Sequence, residues 1–412
     1  MHDSPRPTAI VRADGVLVSE FLDGAMVYDP SREVGHRIGP LAALLLSCDE
    51  PAEIDDLLEM AGEAMDMPME SCRALIGEAV SSLTQIGLIT LVGDDGPPDP
   101  SPREQSPTTE GISDQTPPMI DAGWTVGITH AIHDHRVAFC GPDSDLIDRA
   151  DRYLGNHCGP DEPTTFFELT PSADRTGHID LVTHTTWSFA DMDRLLWQLP
   201  TVMNEFARFA ARVPVLHSGG VRTPDGSVLL MTGAINAGKS TITAALVRAG
   251  CDYLGDESIG IRSHRDTFSA VAYPKPLSLD QGSQLLVGID PPVDACTPAD
   301  NRRAAEIRAD AQSLVGDIGP ITAVFETAFR PDAEINVERL EKSDAIKVIM
   351  ANSLNLTRSG SAGLGALCGL AESVPVLRLN HGDAISAADW LLRRSTSGTA
   401  AANRSTSRPS IR

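Results

Sequence analysis

Ser227-Val228-Leu229-Leu230-Met231-Thr232-Gly233-Ala234-Ile235-Asn236-Ala237-Gly238-Lys239-Ser240-Thr241-Ile242-Thr243-Ala244-Ala245-Leu246-Val247-Arg248-Ala249-Gly250 is the stretch that decides the fold. Ser227–Thr232 reads as an apolar strand, and Thr241–Ala249 reads as a helix that Gly250 stops. Between them Gly233–Ser240 fits the pattern G-x-x-x-x-G-K-[ST] at every position. The glycines Gly233 and Gly238 let the backbone turn so that successive N–H groups face inward on phosphate oxygens. The positive end of the following helix adds to that attraction. Lys239 has the reach for β- and γ-phosphates, and the Ser240 hydroxyl is a ligand for Mg²⁺. Ala234, Ile235, Asn236, Ala237 and Thr241 complete the phosphate-binding set. A strand before the loop and a helix after it are the context this motif requires, so the chain is read as binding a nucleoside triphosphate, ATP by default, with Mg²⁺.

Working outward, Val215–Arg222 reads as a strand and Thr223-Pro224-Asp225-Gly226 as a hairpin turn. If that hairpin pairs, His217 stands near the base of the phosphate loop. A histidine on a strand also serves as a plain structural residue. Downstream, Tyr253–Gly255 is a short strand that ends at Asp256-Glu257. A simple βαβ arrangement brings these two carboxylates to the sheet edge that carries the loop. One can take a proton from an attacking hydroxyl and the other can hold Mg²⁺; the alternative is a solvated acidic turn. Lys275, in Tyr273-Pro274-Lys275-Pro276, is a candidate to add positive charge over phosphates, or a surface lysine. His130, His133, Asp134 and His135 form a local cluster, read as a solvated loop rather than a metal site, because strand alternation divides them between two faces.

Further elements follow from periodicity. Arg136–Cys140, Thr165–Leu169, His178–Thr183, Ser258–Ile261, Phe268–Ala272, Ala323–Glu326 and Val374–Leu379 read as strands. Met192–Ala211, Ser343–Leu354 and Ser386–Leu392 read as helices. Together they make an α/β unit over residues 123–394.

Ahead of it lies a smaller α+β unit, residues 5–92. Val11–Val18, Ala25–Tyr28 and Glu33–Ile38 read as strands, with Asp23-Gly24 a turn. Leu41–Cys48, Ile54–Met65 and Glu70–Ile86 read as helices, the last ended by Gly87, and Leu88–Val92 returns as a strand. Residues 93–122, rich in Pro, Ser, Asp, Thr and Gly, have no apolar period and are read as a disordered linker. The small polar residues 395–412 are read as a disordered tail.

The 412-residue chain carries a formal charge of -24. That surface repels nucleic-acid phosphates and anionic lipid, although solubility is the plainer account of it. No apolar run reaches the ~18 residues of a spanning helix. Seven scattered cysteines without a Cys-x-x-Cys pair argue for a reducing cytoplasm.

The motifs carry a resemblance. Leu216-His217-Ser218-Gly219-Gly220, Gly233–Thr241 and Tyr253-Leu254-Gly255-Asp256-Glu257 together resemble HPr kinase/phosphorylase. They are closer still to the HPr-kinase-related proteins encoded with bacterial peptide-modification pathways. Pro274-Lys275-Pro276-Leu277-Ser278-Leu279 and the Val374–Leu379 strand with its helix to Trp390 are also similar. The resemblance spans roughly residues 124–394. It implies a phosphoenolpyruvate-carboxykinase-like α/β domain with a mixed sheet, an active-site His217, Asp256 as acid/base, and Lys239 with Ser240 on phosphate and Mg²⁺. The chain departs from that family in having Asp256-Glu257 for Asp-Asp. It also lacks the Glu-Ile-Arg-Gly signature, for which Asp280 is the nearest candidate. Both departures put HPr itself, and reverse phosphorolysis, in doubt.

Leu22-Asp23-Gly24, the Glu33–Ile38 strand, the helix from Leu41, and Leu83-x-x-x-Gly87-Leu88-Ile89 look like a PqqD-like domain, the RiPP recognition element, of winged-helix shape. It implies a leader peptide added as a strand near Glu33–Ile38 and packed on the Glu70–Ile86 helix. A winged helix also suits DNA, but residues 1–92 hold 16 acidic and 5 basic side chains, which disfavours phosphate contact. The combined expectation is a kinase acting on a Ser or Thr hydroxyl of a captured peptide or protein, with oligomer formation open. The rivals are a small-molecule kinase and a nucleotide-gated peptide-delivery scaffold.

Overall fold

The structure is a computed structural model. It describes residues 9–21, 24–32, 34–46, 51–65, 69–92, 123–154, 162–171, 177–181, 185–189, 192–265, 267–273, 275, 277–279, 281–288, 303–304 and 314–402. Glu33, Asp280, residues 93–122 and residues 403–412 therefore lie outside the described residues. The chain divides into two compact units, Met1–Thr108 with Ser359–Cys368, and Thr109–Arg358 with Gly369–Arg412. That division groups Ser359–Cys368 with the first unit, inside the span 123–394 that the sequence reading treats as one.

In the first unit Leu17–Phe21, Gly24–Asp29 and Val34–Ile38 form an antiparallel meander, so Val34–Ile38 is an edge strand of that sheet. The strand read over Val11–Val18 is instead two strands. Ala9–Arg12 pairs with Ile89–Val92 and with Ala52–Glu53, whereas Leu17–Phe21 belongs to the meander. Asp14-Gly15 is the turn that separates them, with Gly15 at φ 76. The helices Pro40–Leu46, Ile54–Met65 and Met69–Gln85 close on a core that includes Leu45, Leu57, Leu58, Ile76 and Leu83.

The second unit is mixed α/β and is built around a six-stranded sheet. Its members are β1 (Ser218–Arg222), β2 (Val228–Thr232), β3 (Asp252–Gly255), β4 (Ile321–Phe329), β5 (Asn336–Arg339) and β6 (Val376–His381), in the spatial order β3-β1-β2-β4-β6-β5. β2, β4 and β6 run parallel, and β1 is antiparallel to both β2 and β3. Every residue of β2 is buried, as a central strand covered on both faces requires; hence its unbroken apolar run. Helix α1 (Lys239–Arg248) follows β2, and α2 (Ala384–Ala402) follows β6. Their apolar faces meet the sheet in one core with Leu229, Met231, Ile242, Leu246, Phe325 and Ala388. α2 runs on past Ser395, so residues 395–402 are helical rather than the start of a tail.

A second sheet joins Val215–Leu216, Ile259–His264, Thr267–Ala272 and Gly316–Ile318. A third takes its strands from residues 125–189 and packs against Ser144–Leu154 and Met192–Ala210. The histidine cluster lies there, and it is not a solvated loop. His133-Asp134 is a hairpin turn between His130–Ile132 and His135–Gly141. His130 and His133 are 0% and 1% exposed. His130 bonds Asp151, His133 bonds Ser258 and the Val271 carbonyl, and His135 bonds the Ala210 carbonyl. Burial pushes His133 down to about 4, so it is a neutral core residue at neutral pH. No described helix is long and apolar enough to cross a membrane.

Candidate nucleotide and phosphoryl-transfer site

At the carboxyl end of β2 the chain leaves the sheet through Gly233 at φ 134, and it enters α1 through Gly238 at φ 88. Both conformations strain an L side chain. A Cβ on Gly233 would lie 2.8 Å from the Thr327 carbonyl of β4, and one on Gly238 would lie 3.2 Å from Nε2 of His381. Gly238 is the N-cap of α1 and makes no side-chain cap bond. The first N–H groups of the helix are thus left for an outside acceptor, as an anion site needs. Lys239 Nζ donates to the carbonyls of Gly233 (2.8 Å) and Ala234 (2.9 Å), which holds the ammonium inside the loop. Burial pushes Lys239 below its ordinary value, against the pull of Glu257 and Asp256. Ser240 and Thr241 form the first turn of α1, and Thr241 shares a 3.0 Å hydrogen bond with Ser283.

The hairpin Ser218–Thr232 pairs as the sequence suggests, but the strand breaks at His217. Val215–Leu216 pairs with Ile259–Gly260 in the second sheet, and Ser218 begins β1 in the first. His217 stands at that crossing. Its N–H donates to the Asn352 carbonyl at 2.7 Å, and its carbonyl accepts from Thr232 Oγ1 at 3.1 Å. The ring is half-buried. Burial, then Lys239 and Lys275, push it below its ordinary value, and Glu257 opposes them. The imidazole is therefore neutral at neutral pH.

β3 delivers Asp256 and Glu257 to the same edge. Asp256 is 1% exposed, and Lys275 Nζ lies 2.8 Å from its Oδ1 and 3.3 Å from Glu257 Oε2. Lys275, read as a charge over phosphates or as a surface lysine, is not at the surface: it is 2% exposed and sits between two carboxylates, because an ammonium withdrawn from water must be paired. Burial lowers Lys275, but Asp256 and Glu257 outweigh it and hold the amine above its ordinary value. Burial raises Glu257, but Lys275, with His217 and Asn204, outweighs it and holds the carboxyl below its ordinary value. Tyr253 donates to the Lys275 carbonyl at 3.0 Å and toward Asp256 at 3.4 Å. Burial first, then the carboxylates, push its phenol well above the usual range.

Mg²⁺ is held by one or two carboxylates plus substrate phosphates rather than by a full protein cage. Among the described residues no group of three or more His, Cys, Asp or Glu side chains is placed to hold a metal alone. The Ser240 hydroxyl and the partly exposed Glu257 fit that pattern. Asp256, the further metal oxygen of the sequence reading, has Lys275 Nζ 2.8 Å from its Oδ1.

Sequence reasoning missed Asn352, Tyr253, Asn204 and His381. Asn352 accepts from the Gly233 N–H through Oδ1 at 3.3 Å, so one residue braces both His217 and the loop. The sequence reading carried the helix to Leu354 and so placed Asn352 inside it, whereas the helix ends at Ala351. His381 ends β6 and is 1% exposed; burial holds it below its ordinary value against a backbone hydrogen bond at Asp383.

No family model matches the chain, and no curated protein is similar to it. Among solved structures, the chain is similar to the HPr(Ser) kinase/phosphatase from Coxiella burnetii. The identity is 12%, over 45% of this chain and 97% of that one, and the TM-score is 0.25. A likeness that low decides neither fold nor activity.

Proposed function

We propose that the second unit is an ATP- and Mg²⁺-dependent phosphotransferase of the HPr-kinase-like kind, acting on a Ser or Thr hydroxyl of a peptide or protein. The observation that carries this reading is the meeting, at one sheet edge, of a phosphate loop with its lysine and a carboxylate pair bonded to one buried ammonium. Phosphoryl transfer asks a protein mainly for placement and charge stabilisation, and these residues supply both. The loop N–H groups and Lys239 bind and orient the phosphates. Asp256 accepts the proton of the attacking hydroxyl, with Lys275 fixing the carboxylate through its Oδ1. His217, neutral and next to the loop, orients the acceptor. Ser240 and Glu257 hold Mg²⁺, which when bound neutralises phosphate charge. The acceptor is a peptide captured by the first unit, in the manner of a PqqD-like domain, through the edge strand Val34–Ile38.

The test is turnover of MgATP by the purified chain, followed by mass spectrometry with a library of leader-bearing peptides. Wild type is compared with Lys239→Ala and Asp256→Asn. A phosphate mass on a peptide, lost in both variants with Asp256→Asn still binding nucleotide, is the outcome this reading requires. Transfer only to a free amino acid or sugar replaces the peptide acceptor with a small molecule. Tight binding without any transfer sinks the enzyme and leaves a nucleotide-gated scaffold.

A further inference from the structure

The strand ends form a row along one edge. Asp256 follows β3, His217 precedes β1, the phosphate loop follows β2, Phe329 ends β4 and His381 ends β6. Neighbouring strands lie ~4.8 Å apart. The acid/base residues therefore occupy the side of the loop toward β1 and β3, and the opposite side belongs to β4 and β6. A nucleoside triphosphate is a linear object. If its terminal phosphoryl points to Asp256, its nucleoside must leave the loop toward Phe329.

That side has the surface a nucleobase needs. Phe329 is 45% exposed, a large aromatic face left open beside a polar loop. Its Cβ lies 3.4 Å from the position a Cβ on Gly238 would take, so the ring stands directly beside the phosphate loop. Behind it the buried His381 ring lies 5.6 Å away, tilted by 53°. Within the loop itself, Ile235 is 81% exposed. An exposed Phe and Ile flanking a phosphate loop are poorly explained by folding, which gains from burying both.

We propose that the base of the bound nucleotide stacks on Phe329, with Ile235 covering its other side, so that the site holds a purine by its face rather than by reading its edge. This rests on the phosphotransferase reading, since it takes the direction of the triphosphate from the position of Asp256. Every base has a π-face, so stacking tolerates base identity. ATP and GTP then bind with affinities within a few-fold of each other.

The experiment separates the phosphate contribution from the base contribution. Dissociation constants of MgATP, MgGTP and inorganic tripolyphosphate are measured by calorimetry on the full chain as wild type, Phe329→Ala, Phe329→Leu, Phe329→Trp and Lys239→Ala. Wild type is expected to bind ATP more tightly than tripolyphosphate. Phe329→Ala should weaken ATP and GTP by roughly 5- to 100-fold, the range alanine substitution gives for base stacking, and leave tripolyphosphate within about two-fold. Phe329→Trp should restore binding. Phe329→Leu, apolar but without a ring face, should resemble Phe329→Ala. Equal affinity of wild type for ATP and tripolyphosphate overturns the base seat, as does ATP binding indifferent to Phe329→Ala. If tripolyphosphate does not bind wild type, or binds Lys239→Ala equally well, the phosphate-loop reading itself fails.

Discussion

Lys275 sets the chemistry of the acidic pair. Its side chain is 3% exposed and that of Asp256 is 0% exposed, so neither ion is stable without the other. Lys275→Met should cost about 3–5 kcal/mol, the usual consequence of leaving a buried charge without its partner. Asp256→Asn should cost less, because Lys275 keeps Glu257 at 3.3 Å. The pH dependence has a definite sign. Glu257 is held below its ordinary 4.5, so its contribution is present above that value and is lost as pH falls through the folded one. Lys275 is held above its ordinary 10.5, so its contribution is present below that value and is lost as pH rises through the folded one. The stability gap between wild type and Lys275→Met, read by urea denaturation, should be full at pH 7 and shrink at pH 3. A constant gap would mean that Lys275 acts through packing alone. The sequence made Asp256-Glu257 visible because the two acids are adjacent. It could not show their partner, which comes from a segment 18 residues on and reaches them only through the fold. The phosphate-loop pattern was visible for the opposite reason: its eight residues are contiguous between a strand and a helix, whereas its neighbours Thr327, Asn352 and His381 come from elsewhere in the fold.

Among the elements, the segment after helix Lys342–Ala351 matters most to the site. It runs beside Val215–His217. Leu354 N–H donates to the Val215 carbonyl, Ser353 bridges Leu216, and the Asn352 carbonyl receives His217. Asn352 then turns its side chain to Gly233. Asn352→Ala removes that brace together with the Nδ2 bond to the Val348 carbonyl, and leaves the backbone bond to His217. It should lower stability by about 1 kcal/mol. It should also weaken MgATP several-fold, with His217→Ala affecting turnover more than affinity. A nucleotide affinity unchanged in Asn352→Ala would show that the loop holds its own shape. This role was hidden because the apolar period of residues 343–354 reads as helix to Leu354, whereas the helix stops at Ala351 and frees Asn352. The helix Leu356–Ser373 escaped for another reason. Its four glycines at 360, 363, 365 and 369 cost roughly 1 kcal/mol each in a helix interior. Tertiary packing of Leu364, Leu367 and Leu370, each 0% exposed, overrides that propensity, although Gly360 breaks the run with φ 61. Pairing across the sheet likewise overrode the unbroken strand read through His217, whose two halves join different sheets.

On the scale of the whole molecule, two units share one chain, and the proposed function gives that connection a kinetic purpose. A peptide held on the first unit meets the second as an intramolecular partner, at an effective concentration set by the connecting residues rather than by bulk solution. The first unit is acidic, with 16 acidic against 5 basic side chains over residues 1–92. A captured peptide of basic character is then favoured, and its capture weakens as salt screens the attraction. Both consequences are open to one experiment. A protease site placed within residues 93–122 allows the purified chain to be cut after folding and its N-terminal fragment stripped away, while Ser359–Cys368, grouped with the first unit, stays joined to the second. Cutting should raise KM for a leader-bearing peptide by about 10²–10⁴-fold, leave kcat at saturating peptide unchanged, and leave the affinity for MgATP unchanged. The rise should be smaller in 0.5 M salt, where capture is already weak. A KM indifferent to cutting would remove the first unit from substrate delivery. With transfer to small molecules intact, it would make the second unit a kinase that works alone. A loss of kcat instead of a rise in KM would mean that the first unit completes the site rather than feeding it, and the tether would then be structural.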